Sequence, residues 1–244
     1  MWSPRQRAAT SGSPYRMAVP ATPKALAAHL LAYLGTWPPS GQVAVVGSPA
    51  RLAPAWDGSA VTAVAVTSPA GTVVSVPPEV AAELNGAVAR PDDPSFGERL
   101  ARAVGSPGRA SPWLVLRWTV EPADLPPAGQ WVDAGDPRLP AWLRPFPSPV
   151  LAAFDEDGDY VAGAGLKHHT EWGREVAVGT IEGARGQGLA RRLVAQMASG
   201  VLDGGGIPLY VHHPANEPSA RVADAAGFAD QGWRLLIVAP DGPR

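Results

Sequence analysis

The stretch from Glu175 to Val194 constrains the fold more than any other part of the chain. It starts as a β-rich run, passes through a turn that holds Gly186 and Gly188, and enters a helical pattern at once. A strand that leads through such a turn into a helix brings unpaired backbone N–H groups and the positive end of the helix dipole to one point. Glycines let an anion come close to the backbone there. The stretch therefore predicts an anion-binding turn within an α/β fold.

Two common phosphate-binding patterns do not fit this turn. A dinucleotide fingerprint would require a third glycine where Arg191 stands. A nucleoside-triphosphate loop would require Gly-Lys-Ser/Thr after the glycines, which is absent here. The pattern that fits is Arg or Gln, two residues, Gly, one residue, then Gly or Ala. Arg185, Gly188 and Ala190 occupy its fixed places.

A second block follows the next predicted strand. It runs from Asn216, which is suited to cap a helix, to the pair Gly227-Phe228, which is suited to end one. Ordinary helix caps explain either block alone, but not both in this order with strands between them. Together the blocks resemble the GNAT superfamily of N-acyltransferases, which bind acyl-coenzyme A. Nothing before Trp113 takes part in the resemblance.

The resemblance implies acetyl-CoA as the cofactor. In the family, the strand before the loop splays from its neighbour, and its exposed backbone groups pair with the pantetheine arm. A backbone N–H near Val178 would polarise the thioester carbonyl. The loop N–H groups would hold the pyrophosphate. The residues so assigned to the cofactor are Val178, Gly179, Thr180, Arg185, Gly186, Gln187, Gly188, Leu189, Ala190 and Asn216.

An amine acceptor arrives protonated, so a carboxylate or His is expected near the acyl group as a base. Glu175 and Glu171 are the favoured bases, with His168 and His169 behind them. The plainer interpretation of Glu175 is a surface residue of a strand. A functional and a structural interpretation are also open for His212 and His213. They either contact a ligand or merely end a strand.

The general acid departs from the family pattern. Many members carry a Tyr that protonates the leaving thiolate, and Ala223 stands in that place here. A thiol has a pKa of about 8.5 by analogy with Cys, so its thiolate can leave without an acid near neutral pH. Tyr210 is an alternative donor.

The resulting functional hypothesis is an N-acetyltransferase that moves an acetyl group from acetyl-CoA to an amine of a small molecule or peptide by direct attack in a ternary complex. The alternative is a non-catalytic CoA-binding sensor or regulatory module. In that interpretation the missing Tyr marks lost chemistry.

The rest of the pattern predicts two parts, and it includes a helix from Glu79 to Ala89, a short helix from Pro137 to Leu143 and a closing strand from Phe228 to Val238. Residues 1–20 read as a disordered lead-in, 21–128 as an N-terminal α+β domain of unknown role, and 129–244 as the acyl-CoA-binding domain, with a Pro-rich boundary. The predicted fold class is α/β (α+β), with a mixed, mostly antiparallel GNAT-type sheet flanked by helices in the C-terminal half. The smaller N-terminal unit either walls the acceptor cleft or is a degenerate copy of the same fold.

Composition excludes several classes of function. A formal net charge of −2 provides no excess of Lys and Arg for nucleic-acid binding. Without Cys the chain has no disulfides, thiolate metal sites or Cys nucleophiles. No run reaches the roughly 18 apolar residues of a membrane-spanning helix, and no apolar signal stands at the start. We therefore expect a cytoplasmic monomer or homodimer without nucleic-acid or membrane partners.

An acidic turn at Asp155, Asp157 and Asp159 alternates as a calcium loop does. It lacks the bidentate Glu that an EF-hand requires. We expect a solvated hairpin tip there and no metal site.

Overall fold

The computed structural model describes residues 22–84, 88 and 90–240. The predicted lead-in, 1–20, and part of the predicted helix from Glu79 to Ala89 lie outside these residues. The helices are α1 (Lys24–Leu34), α2 (Ala81–Leu84), α3 (Phe96–Ala103), α4 (Leu189–Asp203) and α5 (Glu217–Ala225). The strands are β1 (Val43–Gly47), β2 (Ala63–Ser68), β3 (Gly71–Val76), β4 (Leu114–Trp118), β5 (Gln130–Val132), β6 (Val150–Phe154), β7 (Tyr160–His168), β8 (Gly173–Thr180), β9 (Ile207–His212) and β10 (Arg234–Val238).

The strands form one sheet in the order β1-β3-β2-β10-β4-β9-β8-β7-β6-β5. Neighbours are antiparallel except for β1 with β3 and β8 with β9. Helices cover both faces. The predicted mixed, mostly antiparallel sheet flanked by helices is thus confirmed.

The two faces of the sheet have separate cores because successive strand residues point in opposite directions. On one face, α1 buries Leu26, Leu30 and Leu34 at helical spacing. On the other face, α4 and α5 pack over β7, β8 and β9, and α3 packs beside β10. Alternation along β9 illustrates the division, since Leu209 belongs to the α1 side and Tyr210 to the α4–α5 side.

The sheet runs without a break from the first half of the chain into the second. β10, the last strand, lies between β2 and β4, and β4 pairs with β9 on its other edge. The predicted boundary between 128 and 129 stays a prediction. The hydrogen-bonded sheet itself continues across it.

Arg117 on β4 connects the halves through side-chain contacts. Its buried guanidinium donates to His212 Nε2 on β9 at 3.1 Å and to the Phe228 carbonyl oxygen at 2.8 Å, and it pairs with Asp224 on α5. A buried guanidinium is costly unless it is hydrogen-bonded. These contacts therefore stabilise the junction of the first 128 residues with the rest.

We expect residues 129–244 not to fold alone. In that fragment β9 would lose β4, and β10 would lose both of its neighbours, which leaves strand edges unpaired. Chemical denaturation followed by circular dichroism, with the full chain as the control, tests this. A cooperative transition in the fragment at the denaturant midpoint of the full chain would instead support two independent domains.

Two predicted segments differ from the structure. The predicted strand from Phe228 to Val238 is shorter, because a turn in which Gly232 N–H donates to the Asp230 carboxylate delays its start to Arg234. The predicted helix at 137–143 is one 3-10 turn that follows Pro140. The acidic segment at 155–159 is the predicted hairpin turn, closed by a hydrogen bond of 2.9 Å from the Asp155 N–H to the Asp159 carbonyl oxygen. Within the described ranges, no helix has the length and apolar character needed to cross a membrane.

Candidate active site

β8 and β9 lie side by side only where they begin. Residues 173–175 pair in parallel with 207–209, and the ladder then stops although both strands continue. The strands separate beyond Glu175 and Leu209 and leave a wedge between them. This wedge matches the splayed strands that the family resemblance implies.

The backbone of β8 divides its hydrogen bonds between β7 and the wedge. The Ile181 N–H donates to the Val161 carbonyl oxygen, which makes the odd-numbered residues of β8 the ones bonded to β7. Gly179 therefore directs its backbone groups to β7 rather than to the wedge. Those of Val178 and Thr180 point into the wedge. The Thr180 hydroxyl is also buried without a partner in the described chain.

The turn before α4 presents unused backbone N–H groups at residues 186–191, which form the N–H row. Gly186 and Gly188 have φ of 79° and 77°, a left-handed conformation that costs other residues roughly 1–2 kcal/mol. Gly188 is the N-cap of α4, without a side-chain cap. Within the described residues, the N–H groups of 186–191 have no acceptor. The N–H of Arg185 is occupied, since it donates to the Glu182 carbonyl oxygen at 3.2 Å.

Arg191 adds positive charge to this turn. Its guanidinium lies so close to Gly188 that a Cβ there would stand 2.9 Å from Nε. Arg192 points elsewhere and donates to the carbonyl oxygens of Pro126 and Pro127. The N–H row, the helix dipole and Arg191 together fit a diphosphate, and the wedge fits an extended amide-bearing arm. The residues present are thus compatible with coenzyme A.

Tyr210 and Asn216 lie across the sheet from Glu175. Tyr210 is buried on the α4–α5 face, where its hydroxyl lies 3.0 Å from the Ser219 hydroxyl, and burial raises its pKa. The Asn216 side chain caps α5 by accepting from the Ser219 N–H at 3.1 Å. Ala223 is fully buried in the same core and cannot donate a proton. The structure therefore does not bring Tyr210 to Glu175.

Glu175 is buried rather than a surface residue, with 7% of its area exposed. Its carboxylate oxygens lie 2.7 Å from Lys167 Nζ and 2.8 Å from His169 Nε2. Burial alone would raise its pKa. The Lys167 charge and the His169 hydrogen bond outweigh burial and lower the pKa to about 2. Glu175 is therefore ionised near neutral pH and is by itself a weak proton acceptor.

His169 is the better-placed base. Because Glu175 is ionised, the imidazole Nε2–H donates to it, and in the neutral form of the ring Nδ1 is then the acceptor nitrogen. Within the described chain Nδ1 has no hydrogen-bond partner. A carboxylate that fixes the tautomer of an imidazole in this way is the arrangement found in general-base catalysis.

Helix α1 contributes two aromatic side chains to this site. The rings of Tyr33 and His169 lie 5.4 Å apart, and His29 stacks on Tyr33 at 5.3 Å. The Thr170 hydroxyl accepts from the Gly173 N–H, so it donates to His29 Nδ1 at 2.9 Å. Gly173 has no room for a Cβ, since the His29 ring fills that space. The packing of α1 on β8 thus depends on a neutral His29.

His29 should make stability depend on pH. Burial, with the His169 and Arg174 charges, lowers its pKa from 6.5 to about 3. Between these values the unfolded chain binds the proton and the folded chain does not. The stabilisation is therefore complete above pH 6.5 and falls by about 1.4 kcal/mol for each pH unit down to about pH 3. Urea unfolding at pH 7, 5.5 and 4.5 should show this slope, and His29→Gln should flatten it. An unchanged slope in the variant would contradict the assignment.

The other predicted bases are less well placed. Glu171 is exposed in the β7–β8 turn, and its catalytic role stays a prediction without a supporting contact. His168 is exposed at the end of β7, and burial of part of its ring, with the Arg174 charge, lowers its pKa. His212 is held by Arg117, whereas His213 is exposed beside the cleft.

Two adjoining cavities form a cleft over this site. The larger, of about 360 Å³, is lined by Lys167, His169 and Glu175 and by the end of β9. The smaller, of about 210 Å³, reaches Arg51 and His168. They share Tyr33, Ala55, Trp56, Val61 and His169. The first half of the chain thus walls the cleft, one of the two roles expected for it.

Sequence reasoning missed Lys167, Tyr33 and Arg51 at this site. Lys167 could have been found from the hairpin, because it stands directly across from Glu175 on β7. Tyr33 and Arg51 carry no such signal, since they reach the site only through tertiary packing.

The C-terminal part of the sequence matches one known family. Residues 157–235 match the family described as FR47-like protein. The match includes β7, β8, the N–H row, α4, β9 and α5. A comparison with curated proteins finds no match.

Three solved structures resemble the fold. A GNAT-family acetyltransferase from Colwellia psychrerythraea is 14% identical over 57% of this chain and 60% of its own, with a TM-score of 0.41. A GCN5-related N-acetyltransferase-like protein from Streptococcus suis is 18% identical over 60% of this chain and 68% of its own, with a TM-score of 0.43. A GCN5-related N-acetyltransferase from Kribbella flavida is 18% identical over 63% of this chain and 66% of its own, with a TM-score of 0.40.

This chain therefore spans about three fifths to two thirds of the length of each of these proteins. The assignment of the domain depends on the family match and on the loop and helix blocks. Residues 157–235 of this chain are thus similar to the FR47-like family, and this region holds the loop and helix blocks that resemble the GNAT superfamily of N-acyltransferases.

Proposed function

We propose that this protein is an N-acetyltransferase that moves an acetyl group from acetyl-CoA to the amine of a small molecule or peptide, by direct attack in a ternary complex. The observation that carries the proposal is the position of the pair Glu175 and His169. Glu175 is the last residue of β8 that pairs with β9, so the pair lies where the wedge begins. Both residues also line the cleft that can admit an acceptor.

Several groups of this chain are suited to hold the cofactor. The N–H groups of 186–191 and the Arg191 guanidinium would bind its diphosphate, and the backbone groups of Val178 and Thr180 would pair with its pantetheine arm. When bound, acetyl-CoA supplies a thioester carbonyl as the electrophile. The Val178 N–H is available to donate to an oxygen on which negative charge develops.

His169 would take the proton of the acceptor amine at Nδ1. Glu175 would hold the tautomer of the imidazole and stabilise the imidazolium that forms, which is a positioning role. Lys167 keeps Glu175 ionised. This replaces the simpler hypothesis that Glu175 removes the proton itself.

The departing thiolate would leave without a side-chain acid or with Tyr210. Ala223 has no proton to give. The raised pKa of Tyr210 keeps its hydroxyl protonated, which suits a donor, and its partner Ser219 lies on α5. The thiolate route needs no donor near neutral pH, given a thiol pKa of about 8.5.

The test supplies the purified full chain with acetyl-CoA and a panel of small amines and peptides. We expect release of free CoA together with an acceptor that is heavier by one acetyl group in mass spectrometry. Binding of acetyl-CoA without turnover on any acceptor would contradict the proposal and favour a non-catalytic CoA-binding module. A thermal-shift comparison with ATP and NAD checks that stabilisation is specific to CoA.

A further inference from the structure

The Arg51 guanidinium is buried, and the described part of the chain supplies no counter-ion for it. Only 6% of the residue is exposed. Its Nη2 donates to the Tyr33 carbonyl oxygen at 2.8 Å, and the group lies over the Tyr33 ring at 4.9 Å. Nε and Nη1 are buried with no hydrogen-bond partner, and within the described residues no carboxylate pairs with this cation.

An unpaired buried guanidinium destabilises the folded chain when no ligand is bound. A buried charge is normally paired, and each unmade hydrogen bond adds a desolvation cost. Arg51 lines a cavity that can admit a ligand, and an anion bound there would supply the missing partner. The planar guanidinium matches the two oxygens of a carboxylate in a bidentate geometry.

The cavity at Arg51 opens on the proposed base. Arg51 and His169 both lie against the ring of Tyr33, at 4.9 and 5.4 Å from its centroid. The two cavities share Trp56 and Val61 as aromatic and apolar walls. A molecule in the cleft can therefore reach Arg51 at one end and His169 at the other.

We propose that the acceptor is a small amine that carries a carboxylate, and that Arg51 binds this carboxylate while His169 faces the amine. This inference depends on the proposed acetyl transfer and narrows its substrate class to amino-acid-like molecules. Neutral amines and diamines would be poor acceptors, because they leave Arg51 unpaired.

The test measures kcat/KM of the unaltered full chain for matched pairs of acceptors. Each amino acid of a panel is paired with its own carboxamide, and ω-amino acids of increasing length are included. We expect kcat/KM to be about 10- to 100-fold higher for the acids, the range of a charge-assisted hydrogen bond. The carboxamide amine is the less basic of the two, so amine reactivity alone would favour the opposite order.

Arg51→Met should abolish this preference by lowering kcat/KM for the acids to the level of the carboxamides. It should keep or raise the melting temperature of the free protein, because the variant removes an unpaired buried charge. Arg102→Met, at an exposed side chain of α3, is the matched control and should retain the preference. If Arg51→Met fails to fold, the acid and carboxamide comparison on the unaltered protein still decides.

Calorimetric binding of the same pairs separates this inference from the proposed function. Tighter binding of the acids that depends on Arg51, without turnover, would support carboxylate recognition and contradict acetyl transfer. Equal turnover of acids and carboxamides, or a preference that survives in Arg51→Met, would overturn carboxylate recognition and leave acetyl transfer intact. The inference is also overturned if neither binding nor turnover shows a preference for the acids.

Discussion

Replacing His169 with Gln should lower kcat for acetyl transfer by about 100- to 10,000-fold, the range that a general base contributes. The reason is that Nδ1 of His169 is the acceptor nitrogen turned away from Glu175, and Gln offers no comparable base. Steady-state kinetics with saturating acetyl-CoA measures the effect. The dissociation constant of CoA should not change, because His169 does not contact the N–H row. His168→Gln is the control and should have a much smaller effect, since among the residues that the structure describes no carboxylate pairs with that ring.

Glu175→Gln distinguishes a positioning role from a direct one. The pKa of Glu175 is about 2, so the carboxylate stays ionised across any practical assay range and does not set the acidic limb of the rate profile. Its replacement removes the carboxylate that fixes the tautomer of the His169 ring and stabilises the cation formed in the reaction. Activity should fall but persist. Near-normal turnover in His169→Gln with none in Glu175→Gln would show that Glu175 itself is the base.

Gly188→Val should weaken CoA binding by about 10- to 100-fold, the loss expected when one or two charge-assisted hydrogen bonds are disturbed. Valine is strained at φ 77°, and its side chain would displace the Arg191 guanidinium from the N–H row. Calorimetry with CoA measures the change.

Gly205→Val is the matched control for Gly188→Val. Gly205 also has φ 77°, lies just after α4, and has open space around its Cβ position. Both variants should lose a similar amount of folding stability, of about 1–2 kcal/mol, from backbone strain. Only Gly188→Val should lose affinity for CoA. Equal affinity in the two variants would mean that the turn does not bind the cofactor.

The elements of the C-terminal half could be predicted because their signals are local. The turn at Gly186 and Gly188, the amphipathic helix α4 and the Asn216 cap each depend on residues a few positions apart. The place of β10 could not be predicted in this way. It pairs with β2, far away in the chain, and apolar strand patterns do not specify such a partner.

In the candidate site, too, local signals could be predicted from the sequence and long-range contacts could not. Glu175 could be predicted from its place on the strand before the loop, but its pairing with Lys167 and His169 required the hairpin register. Tyr33 and Arg51 could not be predicted, because they belong to the first half of the chain. The assignment of Gly179 to the cofactor stays a prediction, and strand alternation directs its backbone groups to β7, which sequence proximity alone does not reveal.

Amide hydrogen exchange can report on the N–H groups that we assign to the cofactor. The full chain is labelled alone, with CoA, and with pantetheine, which lacks the diphosphate. We predict that CoA slows exchange at residues 186–191 and that pantetheine does not, because only the diphosphate occupies that row. Equal exchange at 186–191 with and without saturating CoA would contradict a diphosphate site at the start of α4.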